Sequence, residues 1–193
     1  LPERRAWFVK ETMVHYVPQE MLPGDLLAGA RFNIVTSACL TESEAREYDR
    51  LVIGKDGARQ AMLWYHNHGF GNVGATSGHL IPGYAQVLEK GWRGIHEDIQ
   101  NHLDALSASD QQGNKGAQLR AMLTSATLAR DLAAQYRQVI LKLAETENDA
   151  IRQAELIQMA DNLSRVPWLP ARTFWEAVMS LWMTHMLVMS DEN

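Results

Sequence analysis

The residues of this chain best placed to do chemistry lie in a glycine-rich stretch at positions 69–84, which reads GFGNVGATSGHLIPGY. Its first six residues match G-x-G-x-x-G, the pattern of loops that hold a dinucleotide pyrophosphate. Such a loop needs an apolar strand before it and a helix that opens at its third glycine. Here the preceding WYHNH is too polar for a buried strand, and the helical pattern begins only near Pro82. The stretch therefore predicts a loop that needs glycine for its backbone conformation, not a dinucleotide site.

Thr76, Ser77 and His79 place two hydroxyls and an imidazole in this loop, beside the small residue Ala75. Such side chains next to adaptable backbone are typical of a pocket wall, although they do not specify a reaction. The alternative is that His79 only caps the helix that follows.

Other residues with metal-binding or nucleophilic side chains are better explained by structure. His66 and His68 have no third ligand at a recognised spacing, so a hydrogen-bonded pair is favoured over a zinc site. Cys39 has no flanking motif and is expected to be a small buried residue. His185 lies in the apolar sequence LWMTHML and is expected to be a core histidine bonded to a backbone carbonyl.

Composition and charge restrict the possible classes of protein. The 193 residues suffice for one core, and the net charge of -5 without any basic stripe argues against nucleic-acid binding. A single cysteine excludes an internal disulfide and is typical of a reducing compartment. The apolar runs are too short to cross a bilayer, and the charged start LPERRAWFVKE is unlike a signal peptide. The sequence predicts a cytoplasmic protein that binds neither nucleic acid nor membrane.

The two ends of the chain suggest a piece of a larger protein. It starts at Leu1 rather than methionine, and it stops directly after an apolar segment, in SLWMTHMLVMSDEN. An apolar element is normally covered by the chain that follows it. We therefore expect further chain beyond this sequence.

Apolar spacing predicts a mostly α chain with one or two strands near its N-terminal end. In the first third it indicates a helix over Trp7–Tyr16, an extended segment over Asp25–Ala38 and a helix capped by Thr41. A turn is expected at residues 55–57, and residues 60–65 fit either a strand or a helical turn.

The remainder of the chain has a helical pattern from Pro82 onward, interrupted by a polar loop at 107–116. Further helices are predicted over 117–147, 151–163 and 173–189. The longest has a predicted buried stripe of residues three and four apart: Met122, Ala126, Ala129, Leu132, Tyr136, Val139, Ile140 and Leu143. In the last helix, the residues expected in the core are Trp175, Met179, Trp182, Met183 and Met186.

Four segments, taken in order, resemble the glycyl radical enzymes of the pyruvate formate-lyase type. They are VPQEMLPGDLLAG at 17–29, GHLIPGY with VLEKGWRGI at 78–95, VP with PARTFWEA at 166–177, and the helix that contains Leu181 and Trp182. The family often has an acid where Gly83 stands. Within the family, WFVKETMVHYVPQE at 7–20 and HMLVMSDEN at 185–193 look most like the branch that adds hydrocarbons to fumarate, the benzylsuccinate and alkylsuccinate synthases.

The resemblance implies that residues 1–193 belong to a pyruvate formate-lyase-like domain and form the N-terminal helical portion of a larger α/β ten-stranded barrel. No catalytic residue and no metal ligand is expected in this fragment. The family's catalytic cysteine and radical glycine would lie further along the chain, and Cys39 stands too early to be that cysteine. The loop residues Ala75, Thr76, Ser77 and His79 are hypothesised to line the substrate cavity, where small side chains would leave room for a hydrocarbon.

The resemblance also implies the chemistry and the partners of the complete enzyme. The fragment itself would bind no cofactor. The complete enzyme would carry a glycyl radical installed by an activating enzyme that uses S-adenosylmethionine and an iron–sulfur cluster. Its substrates would be fumarate and a hydrocarbon, and it would be a homo-oligomer of the large subunit with possible small accessory subunits. The open alternatives are another glycyl radical enzyme, namely an acyl lyase, a dehydratase or an arylacetate decarboxylase, and a non-catalytic all-α interaction domain.

Overall fold

One long helix, α6 (Asn114–Thr146), runs through the middle of the structure and contacts most other helices. The computed structural model describes residues 1–29, 39–54, 57–69 and 82–191. The buried positions of α6 include Leu132, Tyr136 and Ile140, which follow the three-and-four spacing of one helix face. The predicted helix 117–147 is thus confirmed with a start three residues earlier. Burial of this stripe supplies the apolar contacts around which the fold is built.

Two members of the predicted stripe are exposed instead. Met122 is 42% exposed and Leu143 is 40% exposed. Met122 stands in the N-terminal third of α6, and Leu143 stands near its C-terminal end. The prediction that these two side chains are buried is therefore wrong.

The first helix, α1 (Pro2–Glu11), packs along α6 and continues into a π-helical turn at Thr12–Tyr16. Proline suits the first turn of a helix because its missing N–H has no partner there in any case. Lys10 fixes the register between the two helices: its ammonium donates to Thr127 Oγ1 at 2.8 Å and pairs with Asp131 at 2.7 Å. The predicted helix over residues 7–16 is confirmed, with an earlier start.

Residues 41–67 form a separate helical segment. It consists of α2 (Glu42–Tyr48), a π-helical turn (Asp49–Ile53) and α3 (Ala58–Asn67). Thr41 caps α2 as predicted, through a reciprocal capping box with Glu44. Residues 60–65 are helical. No strand occurs in the four described ranges, and the predicted extended segment lies mostly at 30–38, outside them, as does part of the predicted turn at 55–57.

Helix α4 (Tyr84–Asp104) contains a break at Gly91, where φ is 67° and ψ is 171°. The break leaves the amides of the next two residues without helical partners. The amide of Trp92 donates to the carbonyl of Pro167 at 3.0 Å, and the amide of Arg93 donates to that of Trp168 at 2.8 Å. The helix starts at Tyr84 with Gly83 as its N-cap, so Pro82 precedes the helix and does not lie in its first turn.

The predicted polar loop at 107–116 instead contains a short helix, α5 (Ala108–Gln112). Ser107 caps it by accepting a hydrogen bond from the Asp110 amide at 3.2 Å. The sequence SASDQQ has no apolar periodicity, so only the capping pattern of serine and aspartate could have indicated this helix.

The last two helices are α7 (Ala150–Leu163) and α8 (Phe174–Asp191), both close to the predicted bounds. Asp149 is the N-cap of α7, because its carboxylate accepts hydrogen bonds from the amides of Ile151 and Arg152. Met179, Met183 and Met186 of α8 are buried in the common core with α6 and α7. Among the described residues, no helix combines the length and the apolar character that a membrane span requires.

We predict that Gly91→Ala destabilises the protein much more than Gly24→Ala. Both glycines have positive φ, at 67° and 83°. A Cβ on Gly24 would meet nothing within 4 Å, whereas a Cβ on Gly91 would lie 2.7 Å from the Leu169 carbonyl carbon and closer still to the Trp168 carbonyl oxygen. We expect losses in the free energy of unfolding of about 1 kcal/mol at Gly24 and at least about 3 kcal/mol at Gly91, measured by urea denaturation. Equal losses at the two positions would contradict the proposed packing of the 166–169 loop.

Candidate functional site

The predicted pocket residues Ala75, Thr76, Ser77 and His79 lie outside the described residues. The structure therefore describes the surroundings of this loop only through the residues that flank it. On its C-terminal side, the chain re-enters the described structure at Pro82 and begins α4 at Tyr84. The contacts of Tyr84 are accordingly the nearest feature from which the site can be built.

Tyr84 is joined to α8 by a hydrogen bond between its hydroxyl and His185 Nδ1, at 2.8 Å. The tautomer of His185 decides which of the two groups donates. The imidazole also lies beside the Trp182 ring, with centroids 6.2 Å apart. The expectation that His185 is a core histidine bonded to a backbone carbonyl is thus wrong: it is partly exposed and its partner is a side-chain hydroxyl.

The same face of α8 binds the chain near Gly29. Trp182 Nε1 donates to the Gly29 carbonyl at 3.1 Å, and Trp175 Nε1 donates to the Leu26 carbonyl at 2.9 Å. Gly29 has φ of 119°, and a Cβ there would lie 2.8 Å from the sulfur of Met186. Glycine is therefore required both by the backbone conformation and by the close approach of α8.

A further hydrogen bond joins α4 to α8 one residue away from His185. Trp92 Nε1 donates to Thr184 Oγ1 at 3.1 Å, and Thr184 is buried. With the contacts of Tyr84 and Gly29, the segments 17–29 and 78–95 both meet α8. We call the residues Trp182, Thr184, His185 and Met186 the α8 anchor face.

The start of α8 is held by a buried ion cluster around Glu176, which is only 3% exposed. Its carboxylate accepts from the backbone N–H of Arg172 at 2.6 Å and from the guanidinium of the same residue at 3.1 Å, and Arg165 lies 3.8 Å away. Burial acts to raise the pKa of Glu176, but the hydrogen bonds and charges of the two arginines outweigh it. The pKa is therefore lowered from 4.5, and the carboxylate is ionised at neutral pH.

The other candidate residues are placed as follows. His68 stacks on Trp64 at the end of α3, with centroids 4.1 Å apart, and its Nδ1 lies 2.7 Å from the Trp64 carbonyl oxygen. Cys39 is buried, and its carbonyl accepts a hydrogen bond from Arg4 at 2.7 Å. Within the described ranges, no group of three or more histidine, cysteine or acidic side chains is arranged to hold a metal ion.

An apolar groove of about 590 Å³ lies between α1, α4, α6 and α8. Most of its lining is aliphatic or aromatic and includes Val9, Trp92, Ile99, Met122 and Leu187. Its lining contains neither Tyr84 nor His185, but it includes Trp92, which binds Thr184 of the α8 anchor face. Its polar lining side chains are Arg5, Gln118 and Ser125, and its described lining contains no acidic residue.

Sequence reasoning missed the Tyr84–His185 pair because 101 positions separate the two residues. Apolar periodicity identifies the face of a helix but gives no information on which distant residue that face meets. The signal that could have connected them is that Tyr84 and His185 both stand in segments that carry the family resemblance, 78–95 and 185–193.

Comparison with known proteins identifies a family for most of the chain. The model of the pyruvate formate lyase-like family matches residues 57–193. The isethionate sulfite-lyase of Desulfovibrio desulfuricans is 36% identical over 106 residues, which are 53% of this chain and 13% of that protein. The (2S)-3-sulfopropanediol dehydratase of Klebsiella oxytoca is 29% identical over 120 residues, or 62% of this chain and 14% of that protein.

The fold is also that of part of a larger enzyme. A solved structure of an enzyme for 1,2-propanediol dehydration from Roseburia inulinivorans superposes with a TM-score of 0.75 and 20% identity. The superposition covers 97% of this chain but only 27% of that one. The helices described above thus correspond to a helical portion of a glycyl radical enzyme barrel, as the sequence predicted.

We predict that the effect of Glu176→Gln on stability depends on pH. The folded-state pKa lies below the unfolded value, so ionised Glu176 stabilises the fold fully above about pH 4.5 and loses this contribution as the pH falls through the folded pKa. The variant should lose about 1–3 kcal/mol of unfolding free energy at pH 7. The difference from the original protein should shrink below about pH 4.5, in thermal unfolding followed from about pH 7 to pH 3.

The matched control for this experiment is Glu97→Gln. Glu97 is 63% exposed and pairs with Arg93 at 3.5 Å on the surface of α4. An exposed pair contributes less than about 1 kcal/mol, so this variant should unfold nearly like the original protein at every pH. A difference for Glu176→Gln that stays constant across the pH range would contradict the assigned role of the carboxylate.

Proposed function

Since this chain belongs to the pyruvate formate lyase-like family of glycyl radical enzymes, we propose that the complete protein is a radical lyase that eliminates a leaving group from a small substrate. The observation that carries this proposal is the identity of 36% and 29% to two relatives named as a sulfite-lyase and a dehydratase. Both names describe elimination of a group from carbon. The chain covers 13–14% of these relatives, so the substrate of the complete protein is not transferable from them.

The second candidate is addition of a hydrocarbon to fumarate. It is favoured by the resemblance of residues 7–20 and 185–193 to the fumarate-adding branch. Residues 7–20 lie outside the region that the family model matches, which is 57–193. The two candidates differ in the fate of the substrate radical. In elimination it expels a leaving group, whereas in addition it attacks the double bond of fumarate.

In both candidates the reactive groups lie outside this chain. The glycyl radical would supply the unpaired electron that a cysteine uses to take hydrogen from the substrate. An activating enzyme with S-adenosylmethionine and an iron–sulfur cluster would be needed to install that radical. We propose that residues 1–193 all belong to one such domain, and that the described helices form the outer support of its pocket. Such support acts by alignment and by exclusion of water.

The test requires the full-length protein, purified without oxygen and incubated with its activating enzyme. We expect a glycyl radical signal by electron paramagnetic resonance. Isethionate, (2S)-3-sulfopropanediol and propane-1,2-diol should be assayed for release of sulfite or an aldehyde. Toluene and hexane should be assayed with fumarate for a substituted succinate. Substituted succinate as the sole product would replace elimination by fumarate addition, and absence of the radical signal would overturn both.

We further propose that Ala75, Thr76, Ser77 and His79 line the substrate cavity, with Ala75 leaving space for the substrate. Ala75→Tyr should then raise KM for the substrate that is turned over at least about tenfold, because the ring would occupy that space. The matched control is Ala108→Tyr, at an exposed position of α5. The control should leave KM within about twofold. An unchanged KM for Ala75→Tyr would show that this position does not line the cavity.

A further inference from the structure

We propose that the outward side of α8 is an internal surface of the complete protein, covered by the chain that follows residue 193. This surface, which we call the outer stripe, consists of Phe174, Val178, Leu181 and His185. The inference rests on the proposed function, because the resemblance behind that function puts the reactive cysteine and glycine further along the chain. It adds which surface of the described helices the later chain contacts.

The outer stripe lies opposite the side of α8 that is buried in the core. Its members follow one another by four, three and four residues, which is the spacing of one helix face. Met183, half a turn around the helix from this face, is fully buried in the core with α6 and α7. In the stripe, by contrast, Phe174 is 85% exposed, Leu181 is 40% exposed, and Val178 and His185 are partly exposed. Helix α8 thus has a second apolar side that the described residues leave open.

The composition of α8 is that of a helix buried on all sides. From Phe174 to Val188 the sole charged residue is Glu176, which is itself buried in its ion cluster. A helix that is apolar all round is normally covered all round. Helix α4 differs, because charged side chains such as Arg93 and Glu97 stand on its exposed side. The open side of α8 therefore has the composition of an interface and not that of a surface adapted to water.

The one polar member of the stripe is compatible with burial. His185 already shares a hydrogen bond with the Tyr84 hydroxyl through Nδ1, at 2.8 Å. Burial of a polar group costs free energy chiefly when its hydrogen bonds to water are not replaced. A covering segment would therefore leave this nitrogen paired. The stripe as a whole requires an apolar occupant.

The later part of the complete protein is the occupant that the observations favour. The superposed enzyme from Roseburia inulinivorans is more than three times as long as the part it shares with this chain, since that part is 27% of it. Helix α8 ends at Asp191, close to the His185 end of the stripe. Elements that are consecutive in sequence are usually neighbours in space and joined by short connections. The chain after residue 193 is thus placed to return along α8.

The stripe by itself is too small to hold a separate molecule. A standard protein–protein interface buries about 800 Å² on each partner. The stripe has four side chains, of which only Phe174 is more than half exposed. A separate molecule must also offset the loss of its translational freedom, whereas a covalently attached segment already has a high local concentration. These considerations favour a segment of the same chain over a second copy or another protein.

The first experiment identifies what contacts the stripe in the full-length protein. The variant Phe174→benzoylphenylalanine carries a photoreactive ring that couples to C–H groups in direct contact. After illumination, we expect mass spectrometry to find position 174 joined to a peptide that follows residue 193 in the same chain. The matched control is Glu97→benzoylphenylalanine, on the charged side of α4, where the original side chain is 63% exposed. It should give at least about tenfold less of this product, because coupling requires contact.

Three results of this experiment would overturn the inference. One is a product that joins two copies of the chain, which would make the stripe an interface between subunits. Another is coupling of position 174 only to peptides within residues 1–193. The last is a yield no greater than that of the control, which would leave the stripe facing solvent.

The second experiment measures how accessible the stripe is, with a substitution that removes little volume. Leu181→Cys and Glu97→Cys are made in the full-length protein and treated with a maleimide under native conditions, and labelling is followed peptide by peptide. Cys at 181 should react at least about 100-fold more slowly than Cys at 97, because a covered thiol reacts only after local opening. Equal rates at the two positions would contradict coverage of the stripe.

Neither experiment requires a glycyl radical or a substrate, so the two proposals fail separately. A protein that gives the expected coupling but forms no radical would refute the proposed function and leave the covered stripe in place. A protein that forms the radical while position 174 couples to nothing would refute the covered stripe and leave the proposed function in place.

Discussion

The structure depends on one backbone constraint, the break in α4 at Gly91. Because φ is 67° there, the amides of Trp92 and Arg93 turn away from the helix and bind the carbonyls of Pro167 and Trp168. The guanidinium of Arg130, on α6, lies 5.3 Å from the centre of the Trp168 ring and adds a contact from the central helix. The loop that leads into α8 is thereby attached to α4 before α8 begins. This attachment positions α8 together with its buried methionines, which pack in the core with α6 and α7.

The break also gives a physical reason for the family resemblance. The four resembling segments are far apart in sequence, yet they contact one another: segment 78–95 meets segment 166–177 at Gly91, and segments 17–29 and 78–95 both meet α8. Gly29 and Gly91 are glycines because a Cβ at either position would collide with its neighbour. What the segments share is thus the assembly of a scaffold. This is consistent with relatives that eliminate different groups, and the scaffold by itself favours neither elimination nor fumarate addition.

The sequence predicted those features whose cause is local. Apolar spacing gave α6, and the caps Thr41 and Asp149 act through neighbouring amides. Three features could not be read in this way. The exposure of Met122 depends on which elements pack beside α6, the break at Gly91 on a loop far along the chain, and the partner of His185 on the fold as a whole. For the candidate site, the resemblance gave only the hypothesis that the loop before α4 lines the pocket, and its residues Ala75, Thr76, Ser77 and His79 lie outside the described ones.

The attachment of residues 39–48 to the N-terminal helix has a different physical character from the core. No residue of α2 is buried, and Arg4 joins this segment to α1 by donating to the Cys39 carbonyl and pairing with the Glu44 carboxylate. Exposed charge interactions are screened by dissolved ions, whereas apolar contacts are strengthened by many salts. Concentrated salt should therefore act in opposite directions on the two regions, loosening the junction at Arg4 while it tightens the packing of α6, α7 and α8.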